Sequence, residues 1–197
     1  MPMYLWLVYV LRLAVGIQAI QANYAPVDED RAIAYATAAA YHGLRLGVDP
    51  FELVAVARNE SDFQPTLRGP DGKDCGLTQT RITISRYSCK QLRSSYWIAF
   101  AEAARELSEY RDSCVGRPDF DRCRINKYNS GVHYARTGVH GRYYLRIQCF
   151  AEAAREGIPL GRECRLVQSQ KQIRRLLAAR RPNPSVAALT AGPASKL

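Results

Sequence analysis

The stretch "GVDPFELVAVARNESDFQP", Gly47 to Pro65, decides how the chain is read. Asp49 is a helix-capping residue, and Pro50 suits a first helical position, where a missing N–H is no loss. The segment Phe51 to Ala57 is apolar and rich in Ala and Val, which suits a buried helix, and it runs directly into Glu60 and further polar residues. A glutamate after a helix is ordinarily a surface residue. A carboxylate placed where a buried helix emerges into a loop calls for another explanation.

Outward from that helix the chain reads as mainly α. "VDEDRAIAYATAAAYHGLRLG" (Val27 to Gly47) crowds acids into its first turn and Ala into its middle, with Gly43 and Gly47 as stop signals. "PTLRGPDGKDC" (Pro65 to Cys75) is a loop by its Gly, Pro and Asp content. Further helices are expected over Tyr96 to Tyr110, Phe120 to His133 and Gly141 to Glu156, and no run alternates with period two as a strand would. "FAEAARE" occurs twice, at Phe100 to Glu106 and Phe150 to Glu156. Its flanks do not match, so it reflects helix composition and not duplication.

At 197 residues the chain fits one domain with extensions. Three segments are expected: an N-terminal piece over 1–22, the domain over 23–164, and a tail over 165–197. The tail joins a basic amphipathic stretch to a Pro/Ala/Ser-rich end with the composition of disorder. "YLWLVYVLRLAVGIQAI" (Tyr4 to Ile20) is apolar apart from Arg12 and Gln18. Three readings fit it: a cleaved export signal, an uncleaved anchor, or a buried helix. The formal net charge of +10 calls for an anionic partner, whether nucleic acid, membrane surface or wall polymer.

The cysteines Cys75, Cys89, Cys114, Cys123, Cys149 and Cys164 include no CxxC and no paired-histidine spacing. Disulfides in an oxidising compartment are therefore expected, rather than a zinc site or six free thiols. The sequential pairing 75–89, 114–123 and 149–164 closes three short loops. His42, His133 and His140 show neither ligand spacing nor a neighbouring nucleophile, and no Walker or GxSxG motif occurs. No cofactor or metal is expected. Nor is nucleic acid, because the interleaving of aromatic and basic residues found in single-strand binders is missing.

Four weak signals remain: Glu60-Ser61; "DCGLTQT", with Asp74, a Gly-Leu step and Gln79; "KYNSG", with Tyr128 and Asn129; and "RYYLRI", with Tyr143. In order and spacing they resemble the lytic transglycosylases of the lysozyme-like superfamily. Those enzymes carry a Glu-Ser pair ending a helix, a Gly-Leu-x-Gln loop, a Tyr-Asn-x-Gly turn and a late Tyr. The likeness runs from about Asp28 to Glu156. Thr78 stands where many members have Met, a change expected to matter little in a loop. Asp74, two residues before Gly76, is similar to the small members of secretion and conjugation systems and to animal-type lysozymes, where a matching Asp is catalytic.

The resemblance implies a lysozyme-like helical domain with an irregular active-site loop, stapled by disulfides, exported to the periplasm or cell envelope and acting on peptidoglycan glycan strands. A secretion, conjugation or phage assembly would be a further partner, and membrane contact would come only through the N-terminal segment or the basic tail. Glu60 would be the catalytic acid and then base, oriented by Tyr143. Gln79 and Asn129 would bind sugar groups, Ser61 would brace the loop, and Tyr128 would line a subsite or belong to the core. Asp74 would fix the loop or, in a hydrolytic muramidase, act with Glu60 as a second carboxylate; the other alternative is a non-catalytic wall-binding or assembly protein. A general acid must hold its proton near neutral pH, whereas free Glu titrates at about 4.3; burial against apolar walls supplies the needed rise.

Overall fold

Helix α3 (Pro50–Ser61) begins as its sequence demands, with Asp49 Oδ1 accepting from Phe51 N at 3.0 Å and Pro50 in the first turn. Every residue from Pro50 to Arg58 is buried, so the helix has no solvent face until its last turn. The computed structural model describes residues 2–22, 26–130, 141–161 and 164. The basic tail, His133, His140, Gly131 and the last three residues of the expected 120–133 helix lie outside the described residues.

Among these residues the chain is mainly helical. Before α3 come α1 (Met3–Gln21) and α2 (Glu29–Leu46). After it come a hairpin of β1 (Asp74–Cys75) and β2 (Thr80–Arg81), then α4 (Cys89–Ser94), α5 (Tyr96–Asp112), α6 (Phe120–Ser130) and α7 (Gly141–Glu156). Asp28 caps α2 by accepting from Arg31 N at 2.8 Å. Gly47, at φ 65°, ends it in the left-handed conformation that glycine adopts without strain. Gly43 does not end α2, contrary to one reading of the sequence. It lies inside the helix, where a Cβ would come within 2.8 Å of the Val48 carbonyl oxygen.

The antiparallel strands pair Asp74 with Arg81 and Cys75 with Thr80, too short a ladder to show alternation in sequence. Helix α4 is also unanticipated, although its capping box is written plainly as Ser88 and Gln91. Disulfides join Cys75 to Cys89, Cys114 to Cys123 and Cys149 to Cys164. They tie the hairpin to α4, the end of α5 to α6, and α7 to the segment after it.

Around α3 the helices are locked by one buried ion pair. Arg124 of α6 contacts both carboxylate oxygens of Glu52 at 2.7 Å, and Gln148 of α7 donates to the same carboxylate at 3.0 Å. The repeated "FAEAARE" segments bury different faces: Glu102 and Glu106 are buried in α5, whereas Glu152 and Glu156 are exposed in α7. This is the behaviour of shared composition, not of a duplicated unit.

Helix α1 packs on α2 and α7. Leu13 and Ile17 are fully buried, and Gly16 lets the α1 backbone lie against the Ala154 carbonyl. Its outward side still exposes Met3, Tyr4, Leu7, Val8 and Val15, and it is the one helix among the described residues long and apolar enough to cross a membrane. The inner stripe is that of a core helix, and the outer stripe keeps the composition that a signal or anchor requires. Leu13→Ala in the full chain is therefore expected to lower the unfolding free energy by about 2–5 kcal/mol. Urea denaturation measures it, and an unchanged midpoint would mean that α1 adds nothing to the fold.

Candidate active site

The last turn of α3 brings Glu60 out of the core, and α7 meets it there. Tyr143, itself buried, donates its hydroxyl to Glu60 Oε1 at 2.6 Å. Asn59 Nδ2 donates to the same oxygen at 3.3 Å. Burial raises the pKa of Glu60 above the ordinary carboxylic range. The Tyr143 and Asn59 hydrogen bonds and the Arg146 charge oppose that rise, and the Asp74 charge adds to it. Burial also holds the Tyr143 phenol well above its usual range, so it remains a donor. The group at position 60 is thus a carboxyl biased toward its protonated form, with one oxygen oriented by a neutral donor.

The hairpin loop beneath it is held by its backbone. Ser61 Oγ lies 2.6 Å from the Leu77 carbonyl oxygen and 3.1 Å from that of Ala57, and its single hydrogen favours the shorter contact. Tyr128 of α6 donates its hydroxyl to the next carbonyl, that of Thr78, at 2.8 Å. Gly76, at φ 79°, is needed because a Cβ would strike the Leu92 carbonyl of α4. The close approach that this glycine permits is therefore to a neighbouring helix. Thr78 is not an indifferent loop side chain. It is fully buried, with its hydroxyl 3.0 Å from Thr80 Oγ1 and 3.2 Å from the Ala99 carbonyl oxygen.

The remaining expected residues divide by what they touch. Gln79, at φ 47°, directs its amide nitrogen into the loop, toward the Gly76 carbonyl at 2.8 Å and that of Leu67 at 3.3 Å. Asn129 is exposed at the end of α6. Asp74 is partly exposed, 3.6 Å from Arg81 Nη1, and burial raises its pKa against the pull of that guanidinium. Tyr128 packs against the core while bracing the loop. Glu60, Ser61, Tyr128 and Tyr143 are thus brought together by three helices and the hairpin loop, with Asp74 near enough for its charge to act on Glu60.

Glu106 belongs to no motif in the sequence. On α5 it is buried, with Oε1 lacking any hydrogen-bond partner and Arg105 Nη2 3.9 Å from that oxygen. Burial lifts its pKa to about 8 against the Arg105 charge, with Glu102, Glu109 and Asp74 adding to the rise. Its charge is also felt at Tyr128. A signal for it does exist, because Glu102 and Glu106 share the face of Phe100, Ala103 and Leu107. Among the described residues no group of three or more His, Cys, Asp or Glu is placed to hold a metal ion.

The chain matches no family model, no curated protein and no solved structure.

Two outcomes follow from these geometries. Tyr143→Phe removes a hydrogen bond that favours the carboxylate, so the Glu60 pKa is expected to rise; carboxyl NMR titration measures it, and a fall would contradict the assignment. For Glu106, the folded protein keeps a proton that the unfolded chain releases near 4.5, so this group's contribution to stability falls as pH rises from there to about 8. Each unit of separation is worth about 1.4 kcal/mol. Glu106→Gln is expected to remove several kcal/mol of that pH-dependent loss, read from urea titrations on either side of the window. Parallel wild-type and variant curves would refute it.

Proposed function

We propose that this chain is a peptidoglycan lytic transglycosylase with a lysozyme-like domain, cleaving the β-1,4 bond between N-acetylmuramic acid and N-acetylglucosamine. The observation that carries this reading is the Tyr143–Glu60 hydrogen bond at the end of a buried helix, where burial raises the pKa of the carboxyl. Cleavage of a glycosidic bond requires a proton on the departing oxygen, and Glu60 supplies it as the bond to the anomeric carbon breaks. The resulting carboxylate then takes the proton of the sugar's own C6 hydroxyl as that oxygen bonds to the anomeric carbon. A 1,6-anhydro ring closes, and Glu60 returns to its starting state without water being consumed.

Tyr143 orients the carboxyl and steadies its charged form between the two steps. Ser61 and Tyr128 hold the loop floor through consecutive carbonyls. Asn129 and the Gln79 carbonyl oxygen would meet the sugar's amide and hydroxyl groups. The three disulfides suit an oxidising, exported location, and the excess of positive charge suits an anionic wall polymer.

One observation favours a second reading. Asp74 lies near enough for its charge to act on Glu60, so a hydrolytic muramidase could use both carboxyls. Mass spectrometry of digested sacculi separates the two, because 1,6-anhydro ends support the transglycosylase and reducing ends overturn it. Glu60→Gln is expected to reduce wall clearance by about 10²–10⁴-fold. Undiminished clearance by that variant would overturn Glu60 as the acid, and no clearance by the wild-type chain would leave a cleft that binds the wall without cutting it.

A further inference from the structure

We propose that an open pocket beside α4 is a second binding site, receiving carboxylates of the stem peptides that hang from the glycan. The proposal rests on the peptidoglycan reading above and names a recognition site for that substrate. The pocket has a volume of about 470 Å³ and is lined by Thr66, Arg68, Cys89, Lys90, Arg93 and Ser94. Three of these six side chains are cationic and none is acidic. The acids of the adjacent loop turn elsewhere: Asp71 pairs with Arg81 at 2.9 Å, and Asp74 faces the same guanidinium.

A solvated basic face is common, and two features distinguish this one. Both guanidinium groups are already positioned by backbone carbonyls. Arg93 Nε donates to the Thr66 carbonyl oxygen at 2.8 Å, and Arg68 Nε donates to that of Gly72 at 3.1 Å. Gly72, whose carbonyl Arg68 holds, adopts φ 72°, a left-handed conformation that glycine takes without strain. Among the described residues each arginine keeps its terminal N–H groups for a ligand, while its Nε is held by backbone. Lys90 adds an exposed ammonium on the first turn of α4.

The pocket is also coupled to the loop under Glu60. Cys89 on its wall is bonded to Cys75, and the consecutive carbonyls of Thr66 and Leu67 accept from Arg93 of the pocket and from Gln79 of the loop. That strand of chain is therefore shared by the pocket and the loop. A stem of four residues spans about 13 Å when extended, so a peptide leaving a sugar held near Gln79 has length to cross that strand. Its carboxylates would meet the guanidinium forks, with Thr66 and Ser94 supplying hydroxyls.

The test is an amide-NMR titration of the full chain carrying Glu60→Gln, with a synthetic stem tripeptide bearing free carboxylates and with its fully amidated counterpart. The free acid is expected to shift the amides of residues 66–68 and 90–94. Amidation, or the additional change Lys90→Glu, is expected to weaken binding by about tenfold, and Arg45→Glu on α2, an equal change in net charge, is expected to leave it unaltered. Equal binding of the amidated peptide would overturn the proposal, as would unshifted pocket amides or displacement of the peptide by less inorganic phosphate than peptide. No bond is cleaved in this measurement, so its failure is separate from a failure to find anhydro ends.

Discussion

Shielding the half-buried Glu60 carboxyl from water is unfavourable, and two neutral donors help to offset that cost. The carboxyl accepts from a phenol and an amide, which orient it and oppose, without cancelling, the rise that burial gives its pKa. Such an arrangement works only if α3 and α7 cannot drift apart. The Glu52–Arg124–Gln148 clamp sits two turns below and joins α3, α6 and α7, the same three helices that carry Glu60, Tyr128 and Tyr143. Removing one partner of a buried pair leaves an uncompensated charge, so the clamp resists splaying more than its net contribution to folding would suggest.

The hairpin loop solves a different problem. Short turns leave carbonyls without partners, and in this one consecutive carbonyls are met by hydroxyls from two helices, Ser61 on α3 and Tyr128 on α6. A buried Thr78 fastens the loop to α5 from inside, and the Cys75–Cys89 bond fastens it to α4. The loop is thereby tied to four helices and can present a fixed floor despite having only two short strands.

The sequence is legible where the physics is local. Asp49-Pro50 announces the start of α3, Gly47 the end of α2, and the apolar run before Glu60 its burial. Site residues separated by more than eighty positions are gathered through a resemblance, because spacing alone cannot say that Tyr143 reaches Glu60. What stays hidden depends on packing. Gly43 reads as a stop signal until α3 is seen crowding against it. Thr78 reads as a loop residue until α5 covers it, and Gln79 reads as a ligand-facing amide until its nitrogen is found serving the Gly76 carbonyl. The buried glutamates of α5 are obscured by a repeated segment whose composition says helix and whose second copy turns the same residue type outward.

Glutamate serves distinct ends here according to what stands beside it. Burial alone would raise Glu102, but Arg105 and the Arg86 amide supply enough donors to bring its pKa below the ordinary value. Glu52 is committed to Arg124 and acts as a fastener. Glu106 has a guanidinium near but no hydrogen bond to its buried oxygen, and burial prevails. At Glu60 the donors are neutral, and there too burial prevails while the geometry stays ordered. The charge of Arg146 lowers the Glu60 pKa, while Arg81 is engaged by Asp71 and Asp74. A cation in direct contact with Glu60 would favour the carboxylate over the acid and oppose the rise that burial produces.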